Sequence, residues 1–289
     1  MNLSGEKTVK IIECPRDAMQ GIKEFIPTQN KIAYINALLG VGFDTIDFGS
    51  FVSPKAIPQM RDTAKVLAGL DLQNTQTKLL AIVANERGAV QASQFEEINY
   101  LGFPFSISEN FQMRNTHKTI GQSIKVLEQV LNIAENYNKE VVTYLSMGFG
   151  NPYGDPWNVE IVAYWTEILS QMGVKILSLS DTIGTATPEN IAYLFKNLIP
   201  LYSKMEFGAH LHTTYDAWFE KVDSAYNAGC QRFDGAIKGF GGCPMAKDEL
   251  TGNMPTEKLL SYFTLQKAET NTKPLSFESA YNAFLQLFS

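Results

Sequence analysis

The 289-residue sequence predicts an α/β protein, a (β/α)8 TIM barrel with additional C-terminal helices, and three observations carry that expectation. Short β-rich runs alternate with longer stretches of helical periodicity along most of the chain, as in βα units on a parallel sheet. The runs number eight in roughly 240 residues, the count and span of such a barrel. The segment after the first run, "ECPRDAMQG", is not the Gly-rich phosphate loop that usually opens a doubly wound sheet. With no linker or shift in composition, the chain reads as one domain over residues 1–289, the barrel over about 9–250 and the C-terminal helices over about 255–289.

The strand candidates, in order, are "VKIIEC" (9–14), "TIDFGS" (45–50), "KLLAIVA" (78–84), "EINYLGF" (97–103), "VVTYLSM" (141–147), "KILSLSD" (175–181), "EFGAHLH" (206–212) and "RFDGAI" (232–237). They are short, and rich in branched and aromatic residues, as buried strands are. Between them, "NKIAYINALLG" (30–40) and "TIGQSIKVLEQVLNIAENY" (119–137) place apolar residues at i, i+3 and i+4, the spacing of one helix face. "TPENIAYLFKNL" (187–198) adds a start signal, with Thr187 as N-cap, Pro188 at the first helical position and Glu189 in the first turn.

Composition narrows the partners. Hydrophobic residues make up 45% of the chain, which excludes disordered and fibrous classes. A net charge of −6 without a basic run favours neither nucleic acid nor an anionic membrane surface. The N-terminal "MNLSGEKTVKIIECPRD" lacks the marks of a signal or transit peptide, and no apolar run is long enough to span a bilayer, so a cytoplasmic location is expected. Cys14, Cys230 and Cys243 are odd in number and show no CxxC spacing, so neither a disulfide framework nor a cysteine-built zinc site is expected.

In such a barrel the catalytic groups gather at the C-terminal strand ends. Glu13, Arg16 and Asp17 close the first run, Asp47 and Ser50 the second, Asp181 the sixth, and His210 and His212 the seventh. The chain has only three histidines, and two of them stand at i and i+2 of one strand, where side chains share a face and can converge on a metal ion. The bland alternative is two unrelated polar residues at a strand end. Asp17 fits a helix cap or a metal ligand; Asp47 and Asp181 fit caps or ion-pair partners; Glu13 fits a neutralising partner for Arg16. Adjacent Arg16 and Asp17 offer a cation for a developing oxyanion and a carboxylate for a metal. A set of imidazoles, carboxylate and amide oxygen suits a divalent metal, Mg2+ or Mn2+ ahead of zinc. Cys14 and Cys230 read as core thiols, whereas Cys243 in "GGCP" reads as an exposed thiol on a glycine pair stiffened by proline. His117, beside a helix start, reads as a surface residue.

Taken together, "CPRDAMQ", "SFVSPKAIPQM" (50–60), "SLSDTIGTATP" (178–188), "HLHTTYD", "GFGGCP" and the downstream "TGN" resemble the hydroxymethylglutaryl-CoA lyase family of the DRE-TIM metallolyase group, in order and over nearly the whole chain. The resemblance implies a metal-dependent retro-Claisen cleavage of 3-hydroxy-3-methylglutaryl-CoA to acetyl-CoA and acetoacetate. It implies Asp17, His210, His212 and Asn253 as metal ligands, Arg16 on the thioester oxygen and Cys243 as a mobile-loop thiol in proton transfer. It further implies Asp181 as support for the site or a substrate-hydroxyl contact, Glu13 as the group orienting Arg16, and Ser50 and Lys23 as residues near the acyl-CoA substrate. A homodimer is also implied, with the C-terminal helices as candidates for the contact.

Departures from the family pattern are Asp47 in place of a glutamate, Thr213 after the histidine pair, Ala18 after Arg-Asp, "NPYGD" (151–155), and a longer loop from Cys243 to Asn253. They bear on which acyl-CoA is the substrate. Rival readings are a lyase for a different 3-hydroxyacyl-CoA, a Claisen-type synthase, an amidohydrolase-type hydrolase and a non-catalytic acyl-CoA-binding barrel. The synthase would require a further domain. The hydrolase would require its HxH pair on the first strand and more histidines. The binding barrel would bind without turnover.

Overall fold

The computed structural model describes residues 8–242 and 251–288. Eight parallel strands form a closed barrel: β1 (Lys10–Glu13), β2 (Thr45–Ser50), β3 (Lys78–Ile82), β4 (Ile98–Ser106), β5 (Glu140–Ser146), β6 (Ile176–Asp181), β7 (Glu206–Thr213) and β8 (Arg232–Gly235). Each strand pairs with its sequence neighbours, β8 returns to β1, and no edge is left open. The predicted fold class is borne out. A short ninth strand, β9 (Gly252–Asn253), lies antiparallel on the end of β7 and pairs Asn253 with His212.

The helices sit where the periodicity expects them. Thr28–Leu39 precedes β2, Ile120–Asn136 precedes β5, and Pro188–Leu201 precedes β7. In Pro188–Leu201, Thr187 Oγ1 accepts the Asn190 N–H at 3.3 Å and Pro188 occupies the first turn. In Ile120–Asn136, Thr119 and Gln122 form a reciprocal capping box. His117 is exposed and ends the preceding helix, Glu109–Thr116, in the left-handed region at φ 55°. After β8 come Thr256–Leu265 and Pro274–Leu287. Helix Pro274–Leu287 lays Phe284 against Tyr34 of helix Thr28–Leu39, and Phe284 and Phe288 receive Phe240 from the loop after β8. That aromatic cluster anchors the stretch leading to Cys243, which itself lies outside the described residues.

The main core lies between the barrel and its helices. Inside the barrel, Leu80, Tyr100, Val142, Tyr144 and Ile176 form a separate apolar cluster on β3–β6. The facing strands β2, β7 and β8 carry the buried Asp47, His212, Arg232 and Asp234 instead. An interior apolar on one side and charged on the other costs stability, so the charged half calls for a functional explanation.

Candidate metal centre and its arginine

β1 ends at Glu13, and Pro15 starts a one-turn helix, Pro15–Gln20, that buries Arg16 and Asp17 at the barrel mouth. The guanidinium is held on two sides. Arg16 Nε donates to both Asp47 oxygens, at 3.0 and 3.2 Å, and Nη2 donates to Asp47 Oδ2 in a fork across to β2. Nη1 donates to Asp17 Oδ1 and to Gln20 Oε1, each at 2.9 Å. Four of the five guanidinium N–H groups are thereby engaged among the described residues, leaving one on Nη2.

Electrostatics keep this cluster charged at a cost. Burial works against the Arg16 cation, but the Asp47 and Asp17 carboxylates outweigh it and hold the guanidinium above its usual value. Burial pushes Asp47 up to about 6 although Arg16 pulls the other way. At Asp17 burial is overcome by Arg16, then by His210 and the hydrogen bond from Asn253, so the carboxyl stays below the ordinary aspartate range.

β7 supplies the imidazoles. His210 and His212 lie with ring centroids 5.5 Å apart, and ligand atoms of Asp17, His210 and His212 all fall within 4.8 Å of one another. Asn253 Nδ2 donates to Asp17 Oδ2 at 2.7 Å and to the Phe240 carbonyl at 2.9 Å, so the amide oxygen is the atom left for a cation. His210 Nδ1 lies 2.9 Å from Asp234 Oδ2. His212 is buried with no hydrogen-bond partner on Nδ1 among the described residues, and burial followed by the neighbouring His210 pushes it down to about 4, so it is a neutral imidazole at pH 7. A neutral, orphaned buried imidazole nitrogen beside an ionised carboxylate and an amide oxygen fits a divalent cation.

The structure thus brings together Arg16, Asp17, Asp47, His210, His212 and Asn253. Gly241 continues the loop onto the same spot. At φ +91°, a Cβ there would meet the Asp17 carbonyl at 2.7 Å and the Ala18 Cα at 2.8 Å, so only glycine lets the chain leading to Cys243 lie on the helix that carries Asp17.

Other expected residues are placed differently. Glu13 does not orient Arg16; that carboxylate is Asp47. Glu13 accepts the Ile237 N–H at 3.0 Å and the Thr256 hydroxyl at 2.5 Å, because its position in β1 faces the chain after β8. Burial, opposed by these hydrogen bonds, pushes its pKa up to about 8. The folded-state value lies above the unfolded one, so the associated stability is complete below about pH 4.5 and is lost as pH rises through about 8. Glu13→Gln, whose oxygen can still accept the Ile237 N–H while its NH2 donates to the Thr256 hydroxyl oxygen, is expected to flatten the stability profile across that window and to exceed the parent on its alkaline side by up to roughly 5 kcal/mol. Urea midpoints across the window check this.

Asp181 is buried, and its oxygens are spent on Lys221 Nζ at 2.7 Å and the Ala186 N–H at 3.0 Å rather than turned toward an open site. Lys221 Nζ also donates to the His212 carbonyl at 2.8 Å and the Gly184 carbonyl at 3.0 Å, tying β6 to the backbone of the histidine strand. Ser50 donates to the Ile82 carbonyl at 3.3 Å and lines a cavity of about 500 Å³ with Phe51, Val52, Arg61, Asn85 and Arg87, beside the cation cluster rather than on it. Lys23 is exposed in the turn after helix Pro15–Gln20. Cys14 and Cys230 are buried free thiols.

Gln20, Lys221 and Asp234 escaped the sequence reading. Asp234 alone carried a signal, a charge in the middle of an apolar strand run.

A parallel barrel whose mouth gathers side chains able to hold a cation beside an arginine with a donor to spare has the groups of an enzyme that could stabilise an oxyanion next to a metal. A family model described as HMGL-like matches residues 8–283, and the chain belongs to that family of carbon–carbon lyases, with which a divalent metal goes. Hydroxymethylglutaryl-CoA lyase YngG of Bacillus subtilis is 34% identical over 259 residues, covering 90% of this chain and 86% of that protein. The 3-hydroxy-3-isohexenylglutaryl-CoA/hydroxymethylglutaryl-CoA lyase of Pseudomonas aeruginosa is 33% identical, covering 90% and 85%. Among solved structures, an HMG-CoA lyase of Acinetobacter baumannii in complex with coenzyme A and 3-methylmalate superposes with a TM-score of 0.91 at 28% identity, covering 99% of this chain and 93% of that one.

Proposed function

We propose that the protein cleaves 3-hydroxy-3-methylglutaryl-CoA to acetyl-CoA and acetoacetate with the help of Mg2+ or Mn2+. The observation that carries this reading is the buried, doubly clamped Arg16 with one free N–H beside the Asp17, His210, His212 and Asn253 cluster. The relatives' names supply the acyl-CoA.

The substrate hydroxyl gives its proton to water, the bond between C2 and C3 breaks, and its electron pair becomes the enolate of the acetyl thioester while C3 becomes the ketone of acetoacetate. Asp17, His210, His212 and Asn253 would hold the cation, which would supply Lewis acidity to the substrate. Arg16 presents its remaining Nη2 hydrogen to the thioester oxygen as negative charge accumulates there. Asp47 prevents the guanidinium from turning away, so no reorganisation is needed at the moment of bond breaking. Cys243 or a water then delivers a proton to the acetyl carbanion.

Ser50 is proposed to line the approach of the acyl group and Lys23 to meet the CoA end. A cytoplasmic enzyme and a homodimer belong to the same reading. No helix among the described residues is long and apolar enough to cross a membrane, and Leu265 and Leu275 stand exposed on the C-terminal helices.

The test is release of both products from the thioester, compared with Cys243→Ala. Stoichiometric acetyl-CoA and acetoacetate, with turnover collapsing in the variant, supports the proposal. Tight metal binding without turnover would redirect it to a different 3-hydroxyacyl-CoA.

A further inference from the structure

Asp234 sits in the middle of β8, 2% exposed, where an aliphatic residue would serve the barrel better. Ala209 and Phe233 are register partners on β7 and β8, so the residues that follow them, His210 and Asp234, meet on the barrel's inner face. Asp234 Oδ2 lies 2.9 Å from His210 Nδ1, and its other oxygen has no hydrogen-bond partner among the described residues. The Tyr144 ring packs edge-on against the same imidazole at 5.4 Å, which leaves the ring little freedom to turn.

A buried cation lies two residues earlier on the same face. Arg232 is 1% exposed, its Nη1 reaches Glu206 at 3.3 Å, and Nε and Nη2 have no hydrogen-bond partner among the described residues. Gly208 makes room for it, since a Cβ there would meet Arg232 Cδ at 3.1 Å and Ser178 Oγ at 3.0 Å. The charged half of the barrel interior therefore forms a column from Arg232 through Asp234 to His210.

We propose that Asp234 is a positioning residue for the cation site: it accepts the Nδ1 proton of His210 and so fixes the tautomer that offers Nε2 to the ion, with Arg232 beneath as its buried counter-charge. A carboxylate behind a ligating imidazole sets ring orientation and raises the basicity of the ligating nitrogen. Asparagine is nearly isosteric but can donate as well as accept, so it no longer specifies the tautomer. Cys14 offers a competing arrangement, because its thiol, His210 and Asp234 also have ligand atoms within 4.8 Å of one another. An ion held there would use the Nδ1 side and displace the hydrogen bond.

This inference rests on the metal site proposed above, and its test separates the two. With the full-length chain labelled with 15N-histidine, three imidazoles are to be assigned. At alkaline pH and without metal, His210 is expected to carry its proton on Nδ1, a result readable on the unmodified protein even if a variant folds poorly. Calorimetric titration with Mn2+ is expected to show Asp234→Asn weakened about 10–100-fold and Cys14→Ser unchanged. A proton on Nε2, an Asp234→Asn protein that binds Mn2+ like the parent, or an equal loss in Cys14→Ser would overturn the proposal while leaving the metal reading intact. A parent protein that binds no divalent cation would overturn both.

Discussion

Arg16→Gln is expected to lower turnover by at least about 10²–10³-fold, the cost of removing one preorganised oxyanion donor. The geometry explains why the loss should fall on turnover rather than on substrate affinity. The guanidinium is already fixed by Asp47, Asp17 and Gln20, so its remaining N–H is matched to charge that develops only as the bond breaks. The substitution also strands Asp47, which is buried in β2 with Arg16 as its partner. Breaking such a pair typically costs about 3–5 kcal/mol unless the orphaned carboxyl takes up a proton. Burial already pushes Asp47 up to about 6, and loss of the arginine pushes it higher. With the folded-state value above the unfolded one, the variant's stability should fall as pH rises, and its deficit should shrink toward acid. Arg16→Lys restores a charge but not the fork, so it should recover stability more than turnover. Steady-state kinetics with urea melts at acidic and neutral pH separate these expectations.

Lys221→Met is the second large effect, and it concerns a residue with no catalytic signature. Its ammonium, buried on helix Trp218–Asn227, has three hydrogens and three acceptors: Asp181 Oδ2 and the carbonyls of His212 and Gly184. Methionine keeps most of the volume but leaves Asp181 buried without its cation, so a loss of about 3–5 kcal/mol is expected. Lys221→Met combined with Asp181→Asn should recover part of it, as removing both halves of a buried pair costs less than removing one. The lysine also holds the backbone of a proposed metal ligand, so the single variant should bind Mn2+ more weakly than its residual stability alone would imply. A melting curve and a metal titration on the same sample read both.

These cases show what the chain discloses locally and what it does not. The eight strands were legible because parallel strands covered on both faces read as continuous apolar runs. β4 extends past the expected run to Ser106, since Pro104 is tolerated where it pairs with Tyr144. Arg16, Asp17 and the histidine pair were legible because strand ends and an i, i+2 spacing are local features. Asn253 was placed by resemblance, whereas its position follows from β9 pairing with β7, a two-residue contact without periodicity. Glu13 was misassigned for a related reason. Its neighbour in sequence is Arg16, but its partners are Ile237 and Thr256, brought to it by closure of the barrel between β8 and β1. Lys221 lies on a helix face where lysine usually means solvent, and only the fold shows that its ammonium reaches inward.

If a cation held by Asp17, His210, His212 and Asn253 is needed for cleavage of 3-hydroxy-3-methylglutaryl-CoA, chelator-stripped protein should release negligible acetoacetate. Addition of Mg2+ or Mn2+ should restore release in the parent and not in His212→Ala. Full turnover by the stripped protein, unaffected by added metal, would rule out a metal-dependent cleavage.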